Sequence, residues 1–143
     1  MPGEAPSKQE APEGVREDNQ SLLQAALLAF GAADITELRR LLDDNVQYTI
    51  VGRHRLAGLH TGKEAVLAAV AQMGELTGGT LSGEIHDILS SDSHGIVIVR
   101  WSAKRADRVL QCEVIDMYHF RDGLIWQVVS VPVDQQAYDE LYS

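Results

Sequence analysis

The sequence predicts an α+β fold in which three helices from the N-terminal half pack on a curved, mainly antiparallel sheet. Apolar residues recur at helical spacing in three segments before Gly74. Further on, two runs rich in β-branched and aromatic residues flank Arg121-Asp122-Gly123, which reads as a β-hairpin. A second hairpin, turning at Ala106-Asp107, precedes it, and the registers expected of the two hairpins agree on one inner face.

Composition bounds the rest. A chain of 143 residues, 45% hydrophobic and 23% charged, fits one globular domain with a real core. The expected organisation is a disordered tail over 1–19 and a single domain over 20–143. Net charge is −9 with no Lys/Arg cluster, which argues against a nucleic-acid or anionic-membrane partner. A lone cysteine, Cys112, allows neither an internal disulfide nor a cysteine-based metal cage. No apolar run is long enough to span a bilayer. The N-terminus lacks the apolar core of a signal peptide, so the cytoplasm is the expected location.

The first helix is expected from near Ser21 to Gly31, with Leu23, Ala26, Leu27 and Phe30 on one face. Asp34 and Glu37 form a capping-box pattern for the second, whose stripe is Ile35, Leu38, Leu41 and Leu42. Asp43-Asp44-Asn45 closes it, and Val46–Val51 alternates as a short strand. Gly52–Gly62 reads as a loop; its glycines do not match a phosphate loop, because Glu64 stands where Ser or Thr is needed. Thr61 with Glu64 is the expected capping box of the third helix, with Val66, Val70 and Met73 buried and Gly74, Gly78 and Gly79 breaking it. Strands follow over Thr80–Leu89, Gly95–Lys104, Arg108–Phe120 and Leu124–Val133. The tail from Asp134 adds a helical turn.

Pairing Arg105 with Arg108 sets Asp116 opposite Val97, Val114 opposite Val99 and Cys112 opposite Trp101. A three-residue loop at 121–123 pairs Phe120 with Leu124 and sets Asp116 opposite Val128. The inner face then holds Val97, Val99, Trp101, Cys112, Val114, Asp116, Tyr118, Trp126, Val128 and Ser130. Asp116 is a single carboxylate in a mostly apolar surface, costly unless paired, hydrogen-bonded or protonated. The opposite face carries Ile96, Ile98, Ile115, Met117, Ile125, Val129 and Val131. A sheet apolar on both faces needs cover on both. Three helices cover one, and a second copy of the same sheet is the simplest cover for the other, hence a homodimer through the outer face.

The order of elements, with L-L-D-D-N-V-Q-Y, L-A-G-L-H-T-G-K-E-A-V, V-I-D-M-Y-H-F-R-D-G-L-I and D-Q-Q-A-Y-D, resembles the nuclear transport factor 2-like superfamily. Within it the chain is similar to the SnoaL-like polyketide cyclases and ketosteroid isomerase-like proteins. The resemblance spans roughly Ser21 to the C-terminus and implies a cone-shaped fold. In ketosteroid isomerases a V-I-D-like segment sets a carboxylic acid in the cone cavity, the position that Asp116 matches. The general-base aspartate of those enzymes falls where this chain has Tyr48-Thr49-Ile50, and their phenol donor where it has Ala25-Ala26-Leu27. SnoaL-like cyclases use acid–base carboxylates around an enclosed substrate, which implies neither metal nor cofactor.

The candidate catalytic residues are therefore Asp116, as acid, base or oxyanion donor, Tyr48 as a phenol and His60 as a base. Each has a structural alternative: a satisfied carboxylate, a core aromatic and a loop histidine. Asp134 reads as a helix cap or a residue flanking the cavity mouth. The candidate ligand-binding wall is Val97, Val99, Trp101, Val114, Tyr118, Trp126, Val128 and Ser130, suited to a small apolar molecule. His54, His86 and His94 lack metal-ligand spacing. Three functions stay open: a cofactor-independent isomerase or cyclase, a non-catalytic small-molecule binder, and a dimerisation module.

Overall fold

Asp34 opens the first corner of the fold as its sequence pattern requires. Its carboxylate accepts the Glu37 backbone N–H at 3.1 Å and caps helix α2, Ile35–Leu41. The structure, a computed structural model, describes residues 14–143. The tail expected over 1–19 lies outside the described residues as far as residue 13. Beyond that it is corrected, because helix α1 runs Val15–Ala32. The reason is tertiary. Asn19, buried on α1, donates from its amide to the carbonyls of Ser91 (3.0 Å) and Asp92 (2.9 Å), in a distant turn. Composition carries no trace of that tie.

Gly31 does not end α1. The helix runs through it, and Ala33 closes it in the left-handed region, φ 50°. α2 stops sooner than expected, since Leu42 is already extended, and strand β1, Leu42–Ile50, takes in Asp43-Asp44-Asn45. Part of the loop expected over Gly52–Gly62 is strand β2, Gly58–Thr61, which pairs antiparallel with β1 and sets His60 beside Tyr48. That pairing takes Thr61 into a strand, so the Thr61–Glu64 capping box does not form. Helix α3, Lys63–Leu76, starts on Gly62 at φ 92° with no side-chain cap, and Glu64 pairs with Arg39 instead. Gly74 lies inside α3 rather than breaking it. A Cβ there would stand 2.9 Å from the Ala33 Cβ, so the glycine lets α3 pass close to the end of α1.

The remaining strands are β3, Ser82–Ser90; β4, His94–Arg105; β5, Arg108–Arg121; and β6, Leu124–Pro132. Helix α4, Gln135–Leu141, ends the chain, with Asp134 capping it through the Ala137 N–H at 3.2 Å. One six-stranded sheet results, in the order β2-β1-β6-β5-β4-β3. The β1–β6 contact is parallel and the others antiparallel. The helices fill the concave side, where Leu23, Leu27, Val66, Val70, Val97, Val99 and Val114 form the core.

The β4–β5 register is the expected one, with Val97 opposite Asp116 and Trp101 opposite Cys112. The β5–β6 register is not. The turn has two residues, Asp122 (φ 53°) and Gly123 (φ 75°), both left-handed as a tight hairpin demands. A bulge at His119/Phe120 then slips the register once more. Between turn and bulge the faces are exchanged: Ile125 enters the core, and Trp126 turns outward against His119 and Arg121. Past the bulge the two slips add to an even number, so every residue returns to its expected face with a new partner. Asp116 faces Ser130, not Val128.

The Asn19 tie is open to test. Asn19→Ala removes both donors from the β3–β4 turn, and we expect a loss of about 1–3 kcal/mol in urea unfolding. An unchanged midpoint would mean that the turn holds itself.

Candidate active site

Three adjacent strands bring three polar side chains together inside the cone. β5 supplies Asp116, only 4% exposed. β6 supplies Ser130, whose hydroxyl donates to Asp116 Oδ1 at 2.5 Å. β1, parallel to β6, supplies Tyr48, whose Oη lies 2.9 Å from Ser130 Oγ. Since the serine proton is committed to the carboxyl, Tyr48 donates to Ser130. The chain runs Tyr48 to Ser130 to Asp116 and ends on the acid.

Burial pushes the Asp116 carboxyl up to about 6, against the opposing pull of the Ser130 hydrogen bond. Desolvation outweighs one neutral donor. The phenols of Tyr48, Tyr118, Tyr138 and Tyr142 are raised above their usual range, first by burial and then by neighbouring charge. They are therefore neutral donors at any physiological pH.

The carboxyl faces a small chamber. Tyr48, Tyr118, Tyr138, Tyr142 and Ser130 line it on the polar side, and Phe30, Met73, Leu81 and Trp101 on the apolar side. It holds about 20 Å³ of free volume, room for a single water.

α4 roofs this chamber, and it is more than the single turn the sequence suggests. Tyr138 and Tyr142 stand one helical turn apart and both point inward. The His54 ring stacks on Tyr138, centroids 5.2 Å apart and 7° from parallel, and leans on Tyr142 at 5.3 Å. The Leu56 N–H donates to His54 Nδ1 at 3.1 Å, so the ring proton sits on Nε2, which is buried with no partner among the described residues. Burial lowers the His54 pKa and keeps the ring neutral. At the far end, the Arg105 guanidinium donates to the carbonyls of Leu141 (2.8 Å) and Ser143 (2.5 Å). That cation sits where the helix dipole is negative.

Among the residues expected to act, Asp116, Tyr48, Ser130, Trp101 and Tyr118 meet at the chamber. Val97, Val114 and Val128 are buried on the inner face behind it. Val99 lines a neighbouring cleft. Two residues are misplaced by the sequence reading. Trp126 is carried outward by the bulge. His60 is not on the chamber wall, and its Nε2 is held by the Leu56 carbonyl at 2.8 Å on edge strand β2. Tyr138 and Tyr142 were not foreseen, although the Y-x-x-x-Y spacing on a capped helix was the signal that would have found them. Among the described residues, no three His, Cys, Asp or Glu side chains gather to hold a metal ion. None of the described helices is long and apolar enough to cross a membrane.

Comparison with known proteins gives a consistent family. The SnoaL-like domain matches residues 23–128. An uncharacterized protein of Mycobacterium tuberculosis is 31% identical over 123 residues, covering 85% of this chain and 94% of that protein. The structure of Bal32a, from a soil-derived mobile gene cassette, superposes with a TM-score of 0.84 at 30% identity, over 90% of this chain and 99% of Bal32a. A putative SnoaL-like polyketide cyclase from Jannaschia sp. superposes at 0.76 with 12% identity, over 96% and 98% of the two chains, and shows the same fold.

The raised Asp116 pKa has a signed consequence. The folded state keeps its proton up to about 6, whereas an unperturbed carboxyl loses it near 3.8. Unfolding therefore releases a proton in that window, and Asp116 withdraws stability as pH rises through it, by roughly 3 kcal/mol at neutral pH. Asp116→Asn keeps an acceptor for Ser130 and removes the ionisation. We expect the variant to match wild type in urea unfolding at pH 4 and to exceed it at pH 7.5. A variant less stable than wild type at pH 7.5 would show a carboxylate held charged by its donors.

Proposed function

Because the chain belongs to the SnoaL-like domain family, we propose that it encloses a small, largely apolar molecule and moves a proton on it with Asp116. The reaction class is a cofactor-independent isomerisation or cyclisation next to a carbonyl, carried out in the cytoplasm. What supports this reading is the buried Tyr48–Ser130–Asp116 chain, which ends on a carboxyl raised to about 6. An acid whose pKa lies near the working pH can both take and return a proton. A ketone with its α-carbon at Asp116 loses a proton to the carboxylate, and the electron pair moves to the carbonyl oxygen. The same carboxyl then returns the proton to that carbon or to a conjugated one. The neutral phenols of Tyr138 and Tyr142 are the donors available to the oxyanion.

A second reading has its own observation. A chamber of about 20 Å³ does not hold a substrate as it stands, which favours a non-catalytic module, for dimerisation with the interior packed or for small-molecule binding with it open. Either reading includes a homodimer through the outer sheet face. Ile96 (39% exposed), Ile115 (41%) and Met117 (39%) form an apolar surface there that no described element covers.

Two experiments test these proposals. Exchange of α-protons for deuterium in 1-indanone and 2-tetralone, followed by NMR, reads enolisation without knowledge of the product. We expect exchange that rises with pH through about 6 and falls by about 100-fold or more in Asp116→Asn. Equal exchange by both proteins would leave the binding module. For the assembly, light scattering at micromolar concentration should give a wild-type dimer and a Met117→Lys monomer, and a wild-type monomer would contradict it.

A further inference from the structure

A larger cleft lies next to the chamber and shares two wall residues with it. It runs between α1 and strands β3 and β4 and holds about 350 Å³. That volume is in the range of small-ligand sites, roughly 300–1,000 Å³. Leu27, Ile85 and Val99 line it, and Leu28, 74% exposed, stands on its lip. Leu81 and Trp101 belong to the walls of both the cleft and the polar chamber.

The Trp101 ring occupies a slot between two glycines. A Cβ on Gly31 of α1 would come within 3.3 Å of its Cζ3, and one on Gly83 of β3 within 2.8 Å. Neither glycine has a positive φ, so backbone conformation does not require them. Their missing side chains make room for the indole. Among the described residues the indole N–H donates to no partner, so packing alone holds the ring.

We propose that Trp101 is the gate of this site. The cleft receives a largely apolar molecule the size of a fused bicyclic ring, and Trp101 swings aside so that one hydroxyl or carbonyl of that molecule reaches Asp116 and Ser130. The gate rests on the reading of Asp116 as the group that meets the ligand. A polar group at one end follows from the walls, mostly apolar along the cleft with Ser82 the one polar side chain, and polar beyond Trp101. An uncharged group follows from the buried carboxyl and a chain charge of −9, both of which repel anions.

The test uses full-length Trp126→Phe protein labelled with 5-fluorotryptophan, in which one fluorine resonance reports Trp101. The probes are 2-naphthol and naphthalene, which share a ring system and differ by the hydroxyl. We expect 2-naphthol to bind saturably and shift the Trp101 resonance. Asp116→Leu should weaken 2-naphthol about ten-fold or more and leave naphthalene unchanged. Leu28→Asp, an exposed change that puts a charge in the cleft, should weaken both probes. Saturable 2-naphthol binding with a fixed Trp101 resonance would overturn the gate. So would equal binding of both probes that ignores Asp116→Leu, or no saturable binding of 2-naphthol. Ketone exchange that still depends on Asp116 beside a fixed Trp101 resonance would remove the gate and keep the acid. A moving, Asp116-dependent Trp101 resonance without exchange would keep the gate and remove the catalysis.

Discussion

A carboxyl sealed inside an apolar cone must carry a proton or accept a hydrogen bond, and the β5–β6 register supplies the bond. Asp116 sits opposite Ser130 only because a two-residue turn and a bulge each slip the strands by one. With either slip missing, Val129 would stand opposite Asp116 and Ser130 would turn to the outer face. A register two residues away would set Val128 against it and leave it without a donor. The same two slips place Tyr48 within reach, since β1 takes its own register from β6. The polar chain across three strands thus depends on one irregularity near His119. The bulge is part of the site, although it lies well away from the carboxyl along β5.

Much of this was legible in the residues, and the failures share one cause. The stripes of α1 and α3, that of α2 as far as Leu41, the alternation of β4 and β5, and the Asp34 and Asp134 caps are local patterns, and they hold. Asp116 stands out in the sequence as a lone carboxylate on an apolar face, and its neighbours keep that face because period-two alternation survives an even slip. Trp126 and Ile125 were exchanged because they lie inside the odd interval between turn and bulge. Non-local ties were illegible. Asn19 reaching Ser91 and Asp92, β2 emerging from a glycine loop, and His54 stacking on Tyr138 all join residues that no short window contains. His60 is misjudged because the pairing of β2 with β1 sets it on the sheet edge, where its Nε2 meets the nearby Leu56 carbonyl.

The roof of the chamber shows how a short C-terminal segment completes a core. Tyr138, Leu141 and Tyr142 are almost fully buried, yet α4 has only seven residues and little helical stability of its own. It is held from outside by the Asp134 cap, the Arg105 clamp and the His54 stack. His54 contributes at a cost, because its Nε2–H is buried with no acceptor among the described residues. Trp101, held by packing alone, is another wall of the chamber.

The central claim is that burial, and not hydrogen bonding, sets the ionisation of Asp116. The most direct measurement is a carbon-13 NMR titration of its side-chain carboxyl in wild type and in Ser130→Ala. Desolvation predicts a wild-type midpoint near 6 and a higher one in Ser130→Ala, where the only neighbour that lowers it is gone. A wild-type midpoint below the ordinary value of 3.8 would contradict the account and make Asp116 a structural carboxylate.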